Sequence, residues 1–208
     1  LERPKVEVVQ DRPGLPAGHR GVVALDNHDP IPEDAIGEGR RRLVLAMLED
    51  VLSTLRATPG VRDISVLTHD RSLLSDGLGH IDDDGRGLNA AITQAAGVLS
   101  RSGVQSMLVL PADLPFATPD DIEVLLQAGE SHVAVLAPDA QGSGTNALLL
   151  SPPTLVRPRF GQDSSAAHAA AIRAMGASLQ IVERPGLACD IDLPTDLAAL
   201  ASKGDGRY

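Results

Sequence analysis

Short apolar runs recur along the chain, separated either by turn formers or by longer stretches with helical spacing. Short, mostly apolar stretches at 21–25, 64–68, 107–110, 133–136, 145–150 and 179–182 predict strands, and 79–81 predicts a small additional one. Between them the period changes. Leu43, Met47 and Val51 are spaced by four, with Ala46 and Leu55 widening the stripe, so a helix is predicted over 38–56, stopped by Pro59-Gly60. An alanine-rich helix is expected over 88–101, and another over 165–175 with Gly176 as its natural C-terminal cap. Thr118-Pro119-Asp120-Asp121 predicts a helix start: Thr118 as N-cap, Pro119 at the first helical position, carboxylates in the first turn. A short terminal helix is expected after Asp196. Strands that alternate with helices favour a largely parallel sheet with helices on both faces. The chain is organised around Met107-Leu108-Val109-Leu110-Pro111-Ala112-Asp113-Leu114-Pro115. Four consecutive apolar residues read as a strand buried on both sides. Pro111 and Pro115 cannot continue a central strand, so Asp113 is delivered at its carboxyl end, where ligands bind in open α/β sheets.

Composition narrows this picture. The chain has 208 residues, 43% of them hydrophobic, with two Phe, one Tyr and no Trp, so Val, Leu, Ile and Ala must build the core. Residues 1–20, with Pro4, Pro13 and Pro16, read as an extension of low order, and 21–203 as one domain. A net charge of −10 argues against nucleic acid or an anionic membrane surface as partner. It does not argue against a nucleotide, because metal ions bridge carboxylates to phosphates. Cys189 is the one cysteine, which excludes an intrachain disulfide. No apolar run reaches the length of a membrane span and the N-terminus has no signal-like apolar region, so the cytoplasm is the expected location. The oligomeric state stays open, a homodimer included.

Four groups of residues could carry chemistry. Asp190 and Asp192 lie two apart, which in an extended segment points both side chains the same way, and with Asp113 they make an oxygen ligand set suited to magnesium. The competing reading of Asp190-Ile191-Asp192-Leu193-Pro194 is a turn. Gly85-Arg86-Gly87-Leu88-Asn89 places glycines at a loop-to-helix junction, where an anion or a base can approach the backbone, and Asn89 could read a base edge. Gly142-Ser143-Gly144-Thr145-Asn146 could hold a small anion through hydroxyl and N–H groups, or could simply be a hairpin turn. Phe160-Gly161-Gln162-Asp163-Ser164-Ser165 offers Ser164 as N-cap of the next helix, with His168 one turn inside, where a structural role is the plainer reading.

Taken in order, Gly87-Leu88-Asn89-Ala90-Ala91, Pro111-Ala112-Asp113-Leu114-Pro115, Gly144-Thr145-Asn146-Ala147, Phe160-Gly161 with Asp163-Ser164 and His168, and Asp190-Ile191-Asp192 with Pro194 and Asp196-Leu197 resemble the 2-phospho-L-lactate or phosphoenolpyruvate guanylyltransferases of coenzyme F420 biosynthesis. Arg42-Leu43-Val44-Leu45-Ala46-Met47 resembles that family's first helix. The resemblance implies a single-domain, Rossmann-like, GT-A-like nucleotidyltransferase fold with a largely parallel mixed sheet. It implies transfer of GMP from GTP to a small phosphorylated three-carbon acid, with release of pyrophosphate. By the same resemblance Asp113, Asp190 and Asp192 would be catalytic and hold Mg2+, Thr145, Gly161 and Ser164 would hold the acid, and Gly87 and Asn89 would lie at the guanosine. The loop after the first strand departs from the family: 26–34 is acidic and has no lysine, leaving Arg42 and its neighbours Arg40 and Arg41 to grip the triphosphate. Two alternatives remain open: a diverged, non-catalytic member acting as a binding or scaffold protein, and a nucleotidyltransferase for another acceptor.

Overall fold

The computed structural model describes residues 19–24, 35–68, 78–82 and 86–191. Most of the expected N-terminal extension, the loop 26–34, Asp192 and the expected terminal helix lie outside the described residues. In chain order the elements are β1 (His19–Ala24), α1 (Ala35–Ala57), β2 (Val61–Thr68), β3 (Gly79–Asp82), α2 (Leu88–Arg101), β4 (Met107–Pro111), α3 (Pro119–Ser131), β5 (Ala134–Pro138), β6 (Thr145–Leu150), α4 (Ser164–Ala174), β7 (Leu179–Ile181) and α5 (Pro185–Ala188). The expected α/β alternation holds, and α2 has the bounds its alanine-rich pattern predicts.

The strands form one seven-stranded sheet in the order β3-β2-β1-β4-β6-β5-β7. All neighbours are parallel except β6, which runs antiparallel to both β4 and β5. Strand β4 is buried on both faces, as its apolar run predicts. Leu108 and Leu110 pack with Leu52 and Leu55 of α1 and Ile122 and Leu125 of α3, while Met107 and Val109 pack with Ile92, Ala95 and Leu99 of α2. On the α2 side, further along the sheet, Leu136 and Leu148 pack with Ile172 of α4. Full burial of such Leu and Ile side chains stabilises by roughly 2 kcal/mol each relative to exposure.

Two features of this topology position the site. From β1 the chain proceeds to β2 and β3 on one side and later returns to β4 on the other. The crevice outside the carboxyl ends of β1 and β4 is therefore a topological switch point. The register pairs Ala24 with Pro111, so β1 ends beside the residues that lead into Asp113. Because β6 is inverted, its first residue, Thr145, also lies at this edge.

Candidate functional site

The β4–α3 connection carries Asp113 and is held from several directions. Leu114 is fully buried, Thr54 of α1 donates its hydroxyl to the Ala117 carbonyl at 2.9 Å, and Ala117 N–H closes a turn onto Leu114. Helix α3 then starts as predicted. Thr118 accepts from the Asp121 amide, and the Asp121 carboxylate accepts from the Thr118 amide and hydroxyl. This capping box closes the α3 N-terminus with the helix's own side chains.

A second segment is laid against this one. The amide of Ile191 donates to the Asp113 carbonyl at 3.1 Å, so Asp190 and Asp113 come to the same edge of the sheet. Asp192 lies outside the described residues, and among the described residues no cluster of three metal-ligating side chains forms. The segment leading to Asp190 is fastened along its length. Arg184 donates to the buried Asp121 carboxylate at 2.7 Å and also pairs with Asp120. Asp121 first, then Asp120, hold the Arg184 guanidinium above its ordinary pKa. Leu187 is fully buried, its carbonyl accepts from Asn146 Nδ2 at 2.9 Å, and the Ala188 carbonyl accepts from the Ala140 amide at 3.0 Å. Gly186 sits where a Cβ would overlap the Asp121 carboxylate and stand 2.6 Å from the Phe116 carbonyl oxygen. Arg184 and Gly186 were not among the site residues expected from sequence, and Asn146, part of the 142–146 motif, is spent on the Leu187 carbonyl. Pro185 at a first helical position is the one local signal of α5. The Arg184–Asp121 pair bridges distant parts of the chain and has no local signal.

The two glycine-bearing motifs meet in one cleft. Arg86, Gly87, Leu88, Asn89, Ala90, Phe160 and Gly161 line a volume of about 330 Å3. Gly87 is the N-cap of α2 at φ 90°, with no side-chain cap and no acidic residue in the first turn, so this helix start faces the cleft uncapped, unlike that of α3. The Asn89 amide, expected to be able to read a base edge, is partly engaged within the chain. Its Nδ2 donates to the Phe160 carbonyl at 2.9 Å and its Oδ1 accepts from the Phe160 amide at 2.7 Å. The side chain staples the 160 loop to α2, leaving one N–H and one lone pair. Arg42 is exposed on α1 and does not line the cleft; the cation that does is Arg86.

The acid-binding residues expected from sequence cluster around His168. Thr145 and Ser164 are buried, and Gly161 is exposed at φ 119°. Asp163 in the left-handed region is the N-cap of α4, which corrects the placement of the cap at Ser164. An aspartate tolerates that conformation, and the Ser164 amide turns back to the Gly161 carbonyl at 3.1 Å. The β5–β6 connection is a hairpin whose Ser143 and Gly144 amides donate to Asp139 at 2.9 and 2.8 Å, so these N–H groups are engaged within the turn. The ladder then skips Asn146, pairing Ala137 with Ala147 and Pro138 with Thr145. This bulge turns Thr145 towards α4 and Asn146 towards α5. His168 is fully buried, and its pKa is lowered to about 4. Burial is the main cause; a hydrogen bond to the Ser164 backbone opposes it and the Arg159 charge adds to it. The imidazole is neutral near pH 7.

A seven-stranded α/β sheet of this topology has counterparts of the same fold among solved structures. A protein of Desulfovibrio desulfuricans G20 assigned to the nucleotide-diphospho-sugar transferases matches with a TM-score of 0.71 at 13% identity, over 91% of this chain and 89% of that one. A manganese complex of a Mycobacterium tuberculosis H37Rv protein matches with a TM-score of 0.60 at 16% identity, over 89% and 98% of the two chains. These are likenesses of fold. The chain belongs to the CofC-like guanylyl transferase family, whose model matches residues 33–208. It is 39% identical to a phosphoenolpyruvate guanylyltransferase of Rubrobacter xylanophilus over 175 residues, 82% of this chain and 85% of that protein.

Proposed function

We propose that the chain transfers GMP from GTP to the phosphate of phosphoenolpyruvate or 2-phospho-L-lactate, releasing pyrophosphate, as in coenzyme F420 biosynthesis. The observation that carries this reading is the Ile191–Asp113 hydrogen bond, which joins the two carboxylate motifs at the switch point beside an uncapped helix start. An acceptor phosphate oxygen attacks the α-phosphorus, the bond to the β-phosphate breaks, and pyrophosphate leaves. The acceptor is already anionic near neutral pH, so no strong general base is needed. The residues act by positioning and by offsetting charge.

Family membership and the relative's activity support guanylyl transfer to a three-carbon acid. Asp113 and Asp190, with Asp192, fit Mg2+, which commonly takes one or two carboxylates and completes its shell with water and phosphate oxygens. A protein of the same fold with bound manganese supports a divalent ion. When bound, the ion offsets charge on the transferred phosphoryl group and the leaving pyrophosphate. Gly87, Asn89 and Arg86 shape the guanosine side. Thr145, Gly161 and Ser164 hold the acid.

The test is GTP calorimetry with and without magnesium on the wild-type chain and on Asp113→Ala, with phosphorus NMR of wild-type reactions supplied with each acid. Magnesium-dependent binding lost in the variant, with a guanylylated acid as product, is the expected result. A well-folded chain that does not bind millimolar GTP overturns the proposal and leaves a non-catalytic member of the family. Product with a different acceptor only would overturn the substrate assignment alone.

A further inference from the structure

His168 has two polar partners beyond its own helix. Its Nε2 lies 2.7 Å from the Arg159 amide, and its Nδ1 lies 3.0 Å from Thr145 Oγ1. A backbone N–H can only donate, so Nε2 must offer a lone pair. A neutral imidazole carries one N–H, which is then on Nδ1. That single N–H is shared between the Ser164 carbonyl and Thr145 Oγ1, so Thr145 Oγ1 accepts from His168 and cannot donate to it. Among the described residues no other partner of this hydroxyl occurs, although Thr145 is only 4% exposed. Among the described residues nothing takes up its own hydrogen. A buried donor in that condition costs free energy unless a ligand accepts from it.

We propose that His168 is a positioning residue of the acceptor site: locked as the Nδ1–H tautomer by the Arg159 amide, it presents the Thr145 hydroxyl hydrogen to an oxygen of the bound acid. This rests on the reading of Thr145 as an acid-binding residue. The same imidazole also holds the Arg159 backbone beside Phe160, whose amide and carbonyl are stapled to Asn89. Acceptor residue and nucleotide cleft are thus joined by one run of hydrogen bonds, and the two ring nitrogens have separable duties.

Two half-replacements separate those duties. His168→Asn puts an amide N–H near the position of Nδ1 and abandons Arg159. His168→Gln puts a carbonyl near the position of Nε2 and withdraws the donor from Thr145. For His168→Gln the expected result is a KM for phosphoenolpyruvate raised about 10-fold, the size of one lost hydrogen bond, with the KM for GTP and kcat within about 2-fold. His168→Asn recovers most of the acceptor KM. Thr145→Val raises the acceptor KM similarly, and adding His168→Gln to it causes no further rise. Multiplicative effects in the double variant, or acceptor and GTP constants that move together, would overturn the proposal. Nitrogen-15 NMR of the wild-type imidazole at pH 7 gives a readout independent of turnover. A protonated Nδ1 and a lone-pair Nε2 are expected, and the opposite tautomer would refute the assignment even if guanylyl transfer is demonstrated. Absence of guanylyl transfer with the expected tautomer would instead count against the function proposed above.

Discussion

At the scale of single residues, the imidazole of His168 sets an acid limit on the fold. Its pKa falls from the ordinary histidine value of 6.5 to about 4 in the folded chain. Between those values the unfolded chain binds a proton that the folded chain does not. Its contribution to stability is therefore complete above pH 6.5 and is lost as the pH falls towards 4, by about 3 kcal/mol over the interval. Urea unfolding of His168→Gln and of the wild type at pH 7 and pH 4 tests this. The wild type should lose about 3 kcal/mol more than the variant, and equal losses would show that the acid limit lies elsewhere. Asn89 makes the second residue-scale case. Asn89→Ala removes both bonds to the Phe160 backbone and leaves a part-buried amide and carbonyl to water, a loss of about 2 kcal/mol. Because Phe160 and Gly161 line the cleft, GTP affinity should fall as well, and calorimetry would detect it. Unchanged GTP affinity in a destabilised variant would confine Asn89 to a structural role.

At the scale of elements, what the sequence made legible follows from how far each signal reaches. The four-residue run of β4, the bounds of α2 and the capped start of α3 rest on neighbours within a few positions, and all three were readable. The inversion of β6 was readable only as one of two alternatives: the glycine-rich 142–146 stretch allowed a hairpin, while the apolar run after it reads the same in either direction. The bulge at Asn146 was hidden: alternation alone gives no sign that Thr145 and Asn146 face opposite to their expected sides. Helix α5 has four residues, too few for a period, and its anchors lie on α3, β6 and the β5–β6 hairpin. The motifs singled out Asp113 and Asp190 as candidates, but only the contacts show that the Asp190 segment is laid against Asp113 by a strap clamped by Arg184. That strap yields a prediction. Gly186→Ala forces a methyl group against the Asp121 carboxylate and the Phe116 carbonyl and should destabilise the chain by about 2 kcal/mol. It should also weaken magnesium-dependent GTP binding more than Gly97→Ala does. Gly97 is a helical glycine of α2 whose added Cβ would meet only the end of the Arg101 side chain, at 3.4 Å. Paired urea melts and calorimetry on the two variants check this, and equal effects on binding would sever the strap from the proposed metal site.

At the scale of the whole molecule, charge opposes the proposed substrates. The chain carries −10 at pH 7, and both GTP and a phosphorylated acid are polyanions. Long-range repulsion is screened as salt rises, with a Debye length near 30 Å at 0.01 M and about 10 Å at 0.1 M. The groups that favour an anion act only at short range: the uncapped start of α2, Arg86 and the metal proposed at Asp113 and Asp190. Screening removes the far field before it reaches those contacts. GTP association should therefore quicken by roughly 2-fold or more between about 0.02 and 0.2 M KCl at fixed free magnesium, contrary to the usual slowing for oppositely charged partners. Stopped-flow association rates at constant protein and nucleotide decide the matter. A rate that falls with salt would mean that local positive potential at the cleft governs capture from a distance. Dissociation should change little, because the short contacts that hold the bound nucleotide are shielded from the added ions. The salt dependence would then lie in the approach of GTP to the switch point and not in the grip of the residues gathered there.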